Sequence, residues 1–113
     1  MDYTERLRCL AINDPRVAGD SAGIAGAEPR ELDPKTLALV RLAALVAVGG
    51  AVASYGAQAD AAVSAGCTAA EIVDVLVAVV PTVGLPRVVA AAPKLAIALG
   101  YDVDGAMEPE AGG

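Results

Sequence analysis

The chain has 113 residues, a formal net charge of −6 and a pI near 4.4, and this length is typical of a single domain. The acidic balance argues against nucleic acid and anionic membrane surfaces as partners, because contacts to phosphate need clustered Lys and Arg. Apolar residues make up 56% of the chain but aromatic residues only 3%. A core of Ala, Val and Leu is therefore expected, and such small side chains suit close packing of helices.

The targeting and cysteine signals predict a cytoplasmic protein. The N-terminal sequence MDYTERLRCL is charged and lacks the apolar run of a signal peptide. The two cysteines, Cys9 and Cys67, have neither metal-site nor redox-pair spacing, so a reducing compartment is favoured and we expect no metal and no cofactor. Two stretches, Leu37–Ala53 and Ile72–Ala92, approach the length of a membrane span, but charged residues, a double glycine and a proline interrupt them.

Charge is distributed very unevenly along the chain. Only six charged residues lie between Leu37 and Gly100, and the other sixteen lie before or after that range. A small monomer has too much surface to hide so apolar a segment, which predicts a homo-oligomer whose central helices pack across subunit boundaries. Within one domain overall, we expect three segments: an N-terminal helix and loop at 1–31, a core at 32–102, and an acidic flexible tail at 103–113.

The N-terminal segment predicts one short amphipathic helix, Thr4 to Ile12. Its inner face is expected to carry Leu7, Leu10 and Ala11, with Cys9 as a packing residue on or beside that face. A turn at Asn13-Asp14-Pro15 is expected to start a further short helical turn through Ala18. Residues 19–31 are rich in Gly and Ala without periodicity, which indicates a loop.

The first core helix is predicted from its start signal. Asp33 can accept hydrogen bonds from free N–H groups of the first turn, and Pro34 fits the first helical position. From Lys35 to Val48 there is no Gly or Pro, and apolar residues surround the helix, which predicts burial on nearly every side. One stripe consists of Leu37, Val40, Ala44 and Ala47. Gly49-Gly50 then disfavours a continued helix.

The second core helix is expected to cover Ala51 to Ala65 and to end at Gly66. Ser54 and Gln58 are four residues apart and share a face, with Tyr55 beside them. One interpretation is a polar face that meets water or a neighbouring subunit. The other is that these side chains, together with Arg41, line a ligand pocket.

Two further helices are predicted after Gly66. Thr68 and Glu71 form a capping box at the start of a helix over Ala69 to Val80, and Pro81 is expected to end or kink that helix. A last helix is expected from Arg87 to Leu99, bent by Pro93.

Buried charges in such a core need partners. Arg41 and Arg87 are expected to pair with Asp60, Asp74 or Glu71, because an unpaired buried charge is costly.

The order of these signals resembles the carboxymuconolactone decarboxylase family, which includes the alkylhydroperoxidase-D-like proteins. The matching segments are LDPKTLALVRLAALVAVG, AVSAGCTAAEIVDVLVAVV and GLPRVVAAAPKLAIALGYD, within residues 32–102. The resemblance implies an all-α fold of about five to six helices in an oligomeric bundle, as a homotrimer or homohexamer.

The chemistry of the family is not carried over by these residues. Redox-active members of the family that the chain resembles carry a Glu, then a Cys-x-x-Cys motif, and then a His four residues after the second Cys. The corresponding positions hold Ala38 or Leu39 for the Glu, Gly50 and Ala53 or Ala51 and Ser54 for the cysteines, and Ala57 or Gln58 for the His. Peroxide reduction needs a thiolate and a resolving thiol, and decarboxylase members resemble enzymes that use His for proton transfer. This chain contains no His.

Three functional hypotheses follow. The first is a pseudoenzyme, an oligomeric scaffold that binds a protein partner or a small apolar or carboxylate ligand, with no catalytic residue. The second is an enzyme with changed chemistry, a decarboxylation or isomerisation of a small carboxylate held by Arg41 and oriented by Tyr55 and Gln58 in an intersubunit cavity. The third is antioxidant activity of the alkylhydroperoxidase type, which would require Cys9 and Cys67 to cooperate.

Overall fold

The computed structural model describes residues 1–18 and 27–100 of the chain. In these ranges it contains five α-helices, one short 3-10 helix and no strand, which confirms the predicted all-α class. The helices are α1 (Tyr3–Ala11), the 3-10 helix (Pro15–Ala18), α2 (Pro34–Val48), α3 (Val52–Ser64), α4 (Ala69–Val83) and α5 (Leu85–Ala98). The chain divides into two compact units, Met1–Leu32 and Asp33–Gly113. Most of the predicted loop and the predicted acidic tail lie outside the described residues.

The first unit contains α1 and the 3-10 helix. Asp2 caps α1 by accepting the Glu5 N–H at 2.8 Å. Cys9 is buried, with 1% of its surface exposed, which confirms it as a packing residue. The predicted inner face is wrong, because Leu7 is 64% exposed and Leu10 and Ala11 are exposed as well.

The reason for this difference is the turn that follows α1. Asn13 adopts a positive φ of 58°, and the Asp14 N–H then donates to the Cys9 carbonyl at 2.7 Å. The chain thereby returns alongside α1, and the 3-10 helix contacts it. Val17 is buried in this helix, so the covered face of α1 is the one that carries Cys9.

The core of the second unit is built from one stripe on each of α2 to α5. The buried stripe of α2 consists of Ala38, Leu42 and Val46, which are spaced four residues apart. The predicted stripe with Val40 and Ala44 lies on the exposed side instead. Within one chain, α2 is therefore buried on one side only, and its packing across subunit boundaries stays a prediction.

The turn between α2 and α3 is held by two cations from α5. Gly49 ends α2 with a φ of 84°, a conformation that L side chains rarely adopt. The Arg87 guanidinium donates to the Val48 carbonyl at 3.3 Å, and Lys94 Nζ donates to the Gly50 carbonyl at 2.7 Å. These side chains place positive charge at the carboxyl end of α2, where the helix dipole favours it.

The predicted capping box of α4 is confirmed. Thr68 Oγ1 accepts the Glu71 N–H at 3.0 Å, and the Glu71 carboxylate accepts the Thr68 N–H at 2.9 Å. Of the two effects expected of Pro81, an end or a kink, the end is wrong, because α4 continues to Val83 and has Gly84 as its C-cap. Pro81 lies close enough to the end of α4 that its missing N–H removes only one late hydrogen bond.

The last helix contains a second internal proline, Pro93, within α5 as predicted. Like Pro81, it is exposed. Of the helices in the described ranges, none combines the length and apolar character needed to cross a bilayer.

Candidate functional site

An open cavity of about 370 Å³ lies between α2 and α3. Both helices contribute residues three or four positions apart, the spacing at which side chains share a helix face. The lining residues are Pro34, Leu37, Ala38 and Arg41 from α2, and Gln58, Ala61 and Ala65 from α3 and its C-terminal cap. The cavity thus has apolar walls with one guanidinium and one amide, a pattern typical of small-molecule sites.

Arg41 and Gln58 are the two predicted pocket residues that the structure brings together at this cavity. Arg41 is exposed and Gln58 is half-buried. A guanidinium offers five N–H donors and a fixed positive charge, and a carboxamide offers both a donor and an acceptor. Neither group exchanges a proton near neutral pH, so this pair can orient a ligand and balance its charge.

Ser54 and Tyr55, the other two predicted pocket residues, are not among the cavity lining. Ser54 is exposed, whereas Tyr55 is 1% exposed and packs in the core. The buried stripe of α3 consists of Tyr55, Ala59 and Ala62, so Tyr55 faces the core rather than the polar side. Burial raises the pKa of its phenol above the ordinary value of 10.0, which makes it a poorer proton donor or acceptor near pH 7.

The ion pairs that the structure shows within the chain are not the ones predicted from the sequence. Glu71 pairs with Lys35, with 3.0 Å between Nζ and Oε2, and not with either arginine. Among the described residues the other ion pair is that of Asp14 with Arg16, so Arg41, Asp60 and Asp74 have no such partner there. Pairing of these groups across subunits stays a prediction.

The Lys35–Glu71 pair is accompanied by shifts in pKa. The Thr68 N–H, and after it the Lys35 ammonium, holds the pKa of Glu71 below its ordinary value of 4.5. The Glu71 carboxylate raises the pKa of Lys35 above 10.5. Because both side chains are exposed, their attraction contributes little to stability.

Lys94 is a polar residue near this site that the sequence pattern did not indicate. It is half-buried, and its ammonium reaches the turn between α2 and α3. Arg87 and Lys94 are seven residues apart, which is about two helical turns. Once α5 is predicted as a helix, this spacing predicts that both cations lie on one side of it.

The cysteines and the acidic residues supply no further site in the described parts of the chain. Cys9 and Cys67 are free, buried thiols, and Cys67 Sγ lies 3.8 Å from the Lys35 carbonyl. No group of three His, Cys, Asp or Glu side chains in residues 1–18 and 27–100 is placed to hold a metal ion.

A second open cavity, of about 390 Å³, lies within the first unit. Two arginines line it, and each donates a hydrogen bond to a backbone carbonyl. Arg6 donates to the Glu28 carbonyl at 2.9 Å, and Arg30 donates to the Met1 carbonyl. These guanidinium groups already hold the unit together, and two acids, Asp2 and Glu31, share the lining.

Comparison with known proteins gives one match. The model of the carboxymuconolactone decarboxylase family matches residues 18–96, which include the whole of α2 to α4 and most of α5. No curated protein and no solved structure matches the chain. Since the family model covers more than half of the sequence, the chain belongs to the carboxymuconolactone decarboxylase family.

Proposed function

We propose that this chain is a homo-oligomeric scaffold that binds a small ligand in the cavity between α2 and α3, without the family's peroxidase or decarboxylase chemistry. The observation that carries this proposal is the cavity lining itself. Its polar groups are Arg41 and Gln58, which bind and orient but do not transfer protons near neutral pH. The remaining walls are apolar and suit the hydrocarbon part of a ligand.

The charge of Arg41 suggests which ligands fit best. A guanidinium with no acidic partner among the described residues is matched by a carboxylate, which it can hold through two parallel hydrogen bonds. Gln58 can bind a further oxygen of the same ligand. A small carboxylate with an apolar body therefore complements the cavity.

The positions of the family's redox residues support binding without redox chemistry. Those of the two cysteines fall within Gly50–Ser54 around the start of α3, where the sequence has no thiol. The chain's own thiols, Cys9 and Cys67, are both buried, which slows their reaction with peroxide. Free buried cysteines also support our proposal of a reducing, cytoplasmic location.

An enzyme with changed chemistry is the second candidate function. It is favoured by Arg41, which could hold a carboxylate during decarboxylation or isomerisation. Tyr55, the acid or base considered for this reaction, is in the core with a raised pKa. A rearrangement of α3 would be needed before its hydroxyl could reach a ligand between α2 and α3.

The test begins with native mass spectrometry of untagged full-length protein, to detect releasable small molecules. Binding of a series of small monocarboxylates is then measured by calorimetry for the parent, Arg41→Met and Arg8→Met. We expect at least a tenfold loss of affinity in Arg41→Met and none in Arg8→Met, because Arg8 does not line the cavity and ion pairing needs the guanidinium at the site. Equal affinity in all three proteins would refute binding at this cavity.

Turnover assays with the same proteins separate the two candidates. Under the scaffold proposal, neither peroxide nor a small carboxylate lactone is consumed. Turnover that disappears in Gln58→Ala or Tyr55→Phe would establish the enzyme instead. Peroxide consumption that disappears in Cys67→Ser would establish the antioxidant function.

A further inference from the structure

The residues that line the cavity between α2 and α3 form three levels along the two helices. Cys67 Sγ lies 3.8 Å from the Lys35 carbonyl, so the end of α3 lies beside the start of α2 and the helices are antiparallel. Going away from the turn that joins them, the lining residues follow the same spacing of three and then four residues on each helix. The levels are Arg41 with Gln58, Ala38 with Ala61, and Pro34 with Ala65.

The polar groups of this groove lie at one end. Arg41 and Gln58 make up the first level, and the other lining residues carry only hydrocarbon side chains. Seven residues of helix separate the first level from the third, which is a distance of about 10 Å. The groove is therefore polar at the end near the turn and apolar over the rest of its length.

The groove is closed beyond its polar end. The next level toward the turn holds Leu45 and Ser54, and neither residue lines the cavity. Their side chains pack around Gly50, where a Cβ atom would lie 2.7 Å from Leu45 Cδ1 and 3.4 Å from Ser54 Cβ. A ligand whose polar group is bound by Arg41 and Gln58 must therefore extend along the apolar levels, away from the turn.

The opposite end of the groove disfavours a carboxylate. Asp33, the cap of α2, directly precedes Pro34, and its side chain is ionised near neutral pH. Lys35, the neighbouring cation, is already paired with Glu71 at 3.0 Å. Arg41 has no acidic partner among the described residues, so a ligand carboxylate is attracted to the end of the groove that holds Arg41 and repelled from the other.

We infer that the ligand is an unbranched, medium-chain monocarboxylate that lies along this groove, with its carboxylate at Arg41 and Gln58 and its chain end at Pro34 and Ala65. The inference rests on the proposed function and names the class of ligand for the same cavity. A groove that follows two helices is long and narrow, which suits an unbranched chain. The apolar length of about 10 Å matches an extended chain such as that of octanoate.

Two alanines of α3 determine how long a chain the groove accepts. Ala61 is exposed and Ala65 is half-buried, and their small side chains leave the groove open at the second and third levels. Ala61 lies about 4.5 Å along the helix from Gln58, and Ala65 lies about 10 Å from it. A larger side chain at either position blocks the groove at its own level, so these residues are specificity determinants.

The ligand class is tested by calorimetry of the full chain with straight-chain monocarboxylates from butanoate to dodecanoate. We expect the affinity to rise about twofold per methylene up to octanoate and then to level off, because an open groove captures about half of the burial energy of each methylene. An affinity that is independent of chain length, but still lower in Arg41→Met, overturns this inference and leaves the proposed function in place. Equal binding by Arg41→Met and the parent overturns both.

The position of the chain is tested by adding the same side chain at three sites of α3. Ala65→Leu should level off at hexanoate and Ala61→Leu at butanoate. Ala53→Leu is the matched control, because Ala53 is exposed on α3 and does not line the cavity, and it should retain the parent profile. A parent profile in both Ala61→Leu and Ala65→Leu overturns the inference.

The orientation of the ligand is tested on the parent protein without any substitution. Octanedioate has the chain length of octanoate and a second carboxylate at its other end. We expect it to bind at least about tenfold more weakly than octanoate, because the second carboxylate would lie against apolar side chains beside Asp33. Octanedioate that binds as tightly as octanoate overturns the orientation and with it the inference.

Discussion

The two ends of α2 are stabilised in different ways. At its start, Asp33 accepts the Thr36 N–H at 2.7 Å and Lys35 pairs with Glu71. At its end, no side chain of α2 takes part. The Val48 carbonyl accepts a hydrogen bond from Arg87, and in the turn that follows the Gly50 carbonyl accepts one from Lys94, both on α5. The start therefore relies largely on a cap encoded within four residues, and the end relies on cations about 40 residues away.

This difference changes how much each end contributes to stability. The groups at the start are exposed, so water competes for each of their bonds. Lys94 and its acceptor at Gly50 are partly buried, and a hydrogen bond from a charged donor in such a place is worth more. The turn that follows α2, which leads into the helix that carries Gln58, is accordingly the more strongly held of the two ends.

The largest effect is expected from Lys94→Met, which removes the ammonium but keeps most of the apolar stem. The Gly50 carbonyl loses its charged donor, and the free energy of unfolding should fall by about 1.5–3 kcal/mol. Urea denaturation measures this change. Lys35→Met at the other end is the matched control and should cost less; an equal or larger loss there would contradict the comparison.

The next effect is expected at the start of α4, where Thr68 and Glu71 cap each other. Thr68→Ala removes the hydroxyl that accepts the Glu71 N–H, and the loss should be about 1 kcal/mol. Thr68→Ser should retain most of the stability. Thr82→Ala, an exposed site near the end of α4, should change it by less than about 0.5 kcal/mol. Thermal unfolding of the three variants distinguishes a cap from general helix propensity.

Local signals in the sequence were sufficient to predict most of the helices. Asp33-Pro34, the Thr68–Glu71 box and Gly66, with its φ of 96°, each act within one turn, and each predicted boundary lies within two residues of the observed one. Pro81 was the exception. A proline blocks a helix strongly only in its interior, and here the helix ends two residues later, before Gly84.

Side-chain direction was harder to predict, since nearly every residue of the core helices is apolar. In α2 the pattern fits several stripes equally well, and only contact with α3, α4 and α5 selects Ala38, Leu42 and Val46. Tyr55 was misplaced for the same reason. Its hydroxyl suggested the polar face of α3, but its side chain is the largest fully buried one among the residues that the structure describes, and burial of that apolar area outweighs exposure of one hydroxyl.

The smallest effect is expected from acid, and it concerns the start of α2 and the start of α4. The N–H of Thr36 lowers the pKa of Asp33 below 3.8, and the Thr68 N–H lowers that of Glu71 below 4.5. A carboxylate with a lowered folded-state pKa stabilises the fold above its unfolded pKa, and this contribution is lost as the pH falls through the folded value.

The free energy of unfolding should therefore decline below about pH 4.5. Asp33→Asn with Glu71→Gln keeps the side-chain shapes and should flatten this decline between about pH 4.5 and 2 in urea titrations. If the stability of the double variant falls with pH as steeply as that of the parent, Asp33 and Glu71 are not the source of the acid sensitivity and the prediction is wrong.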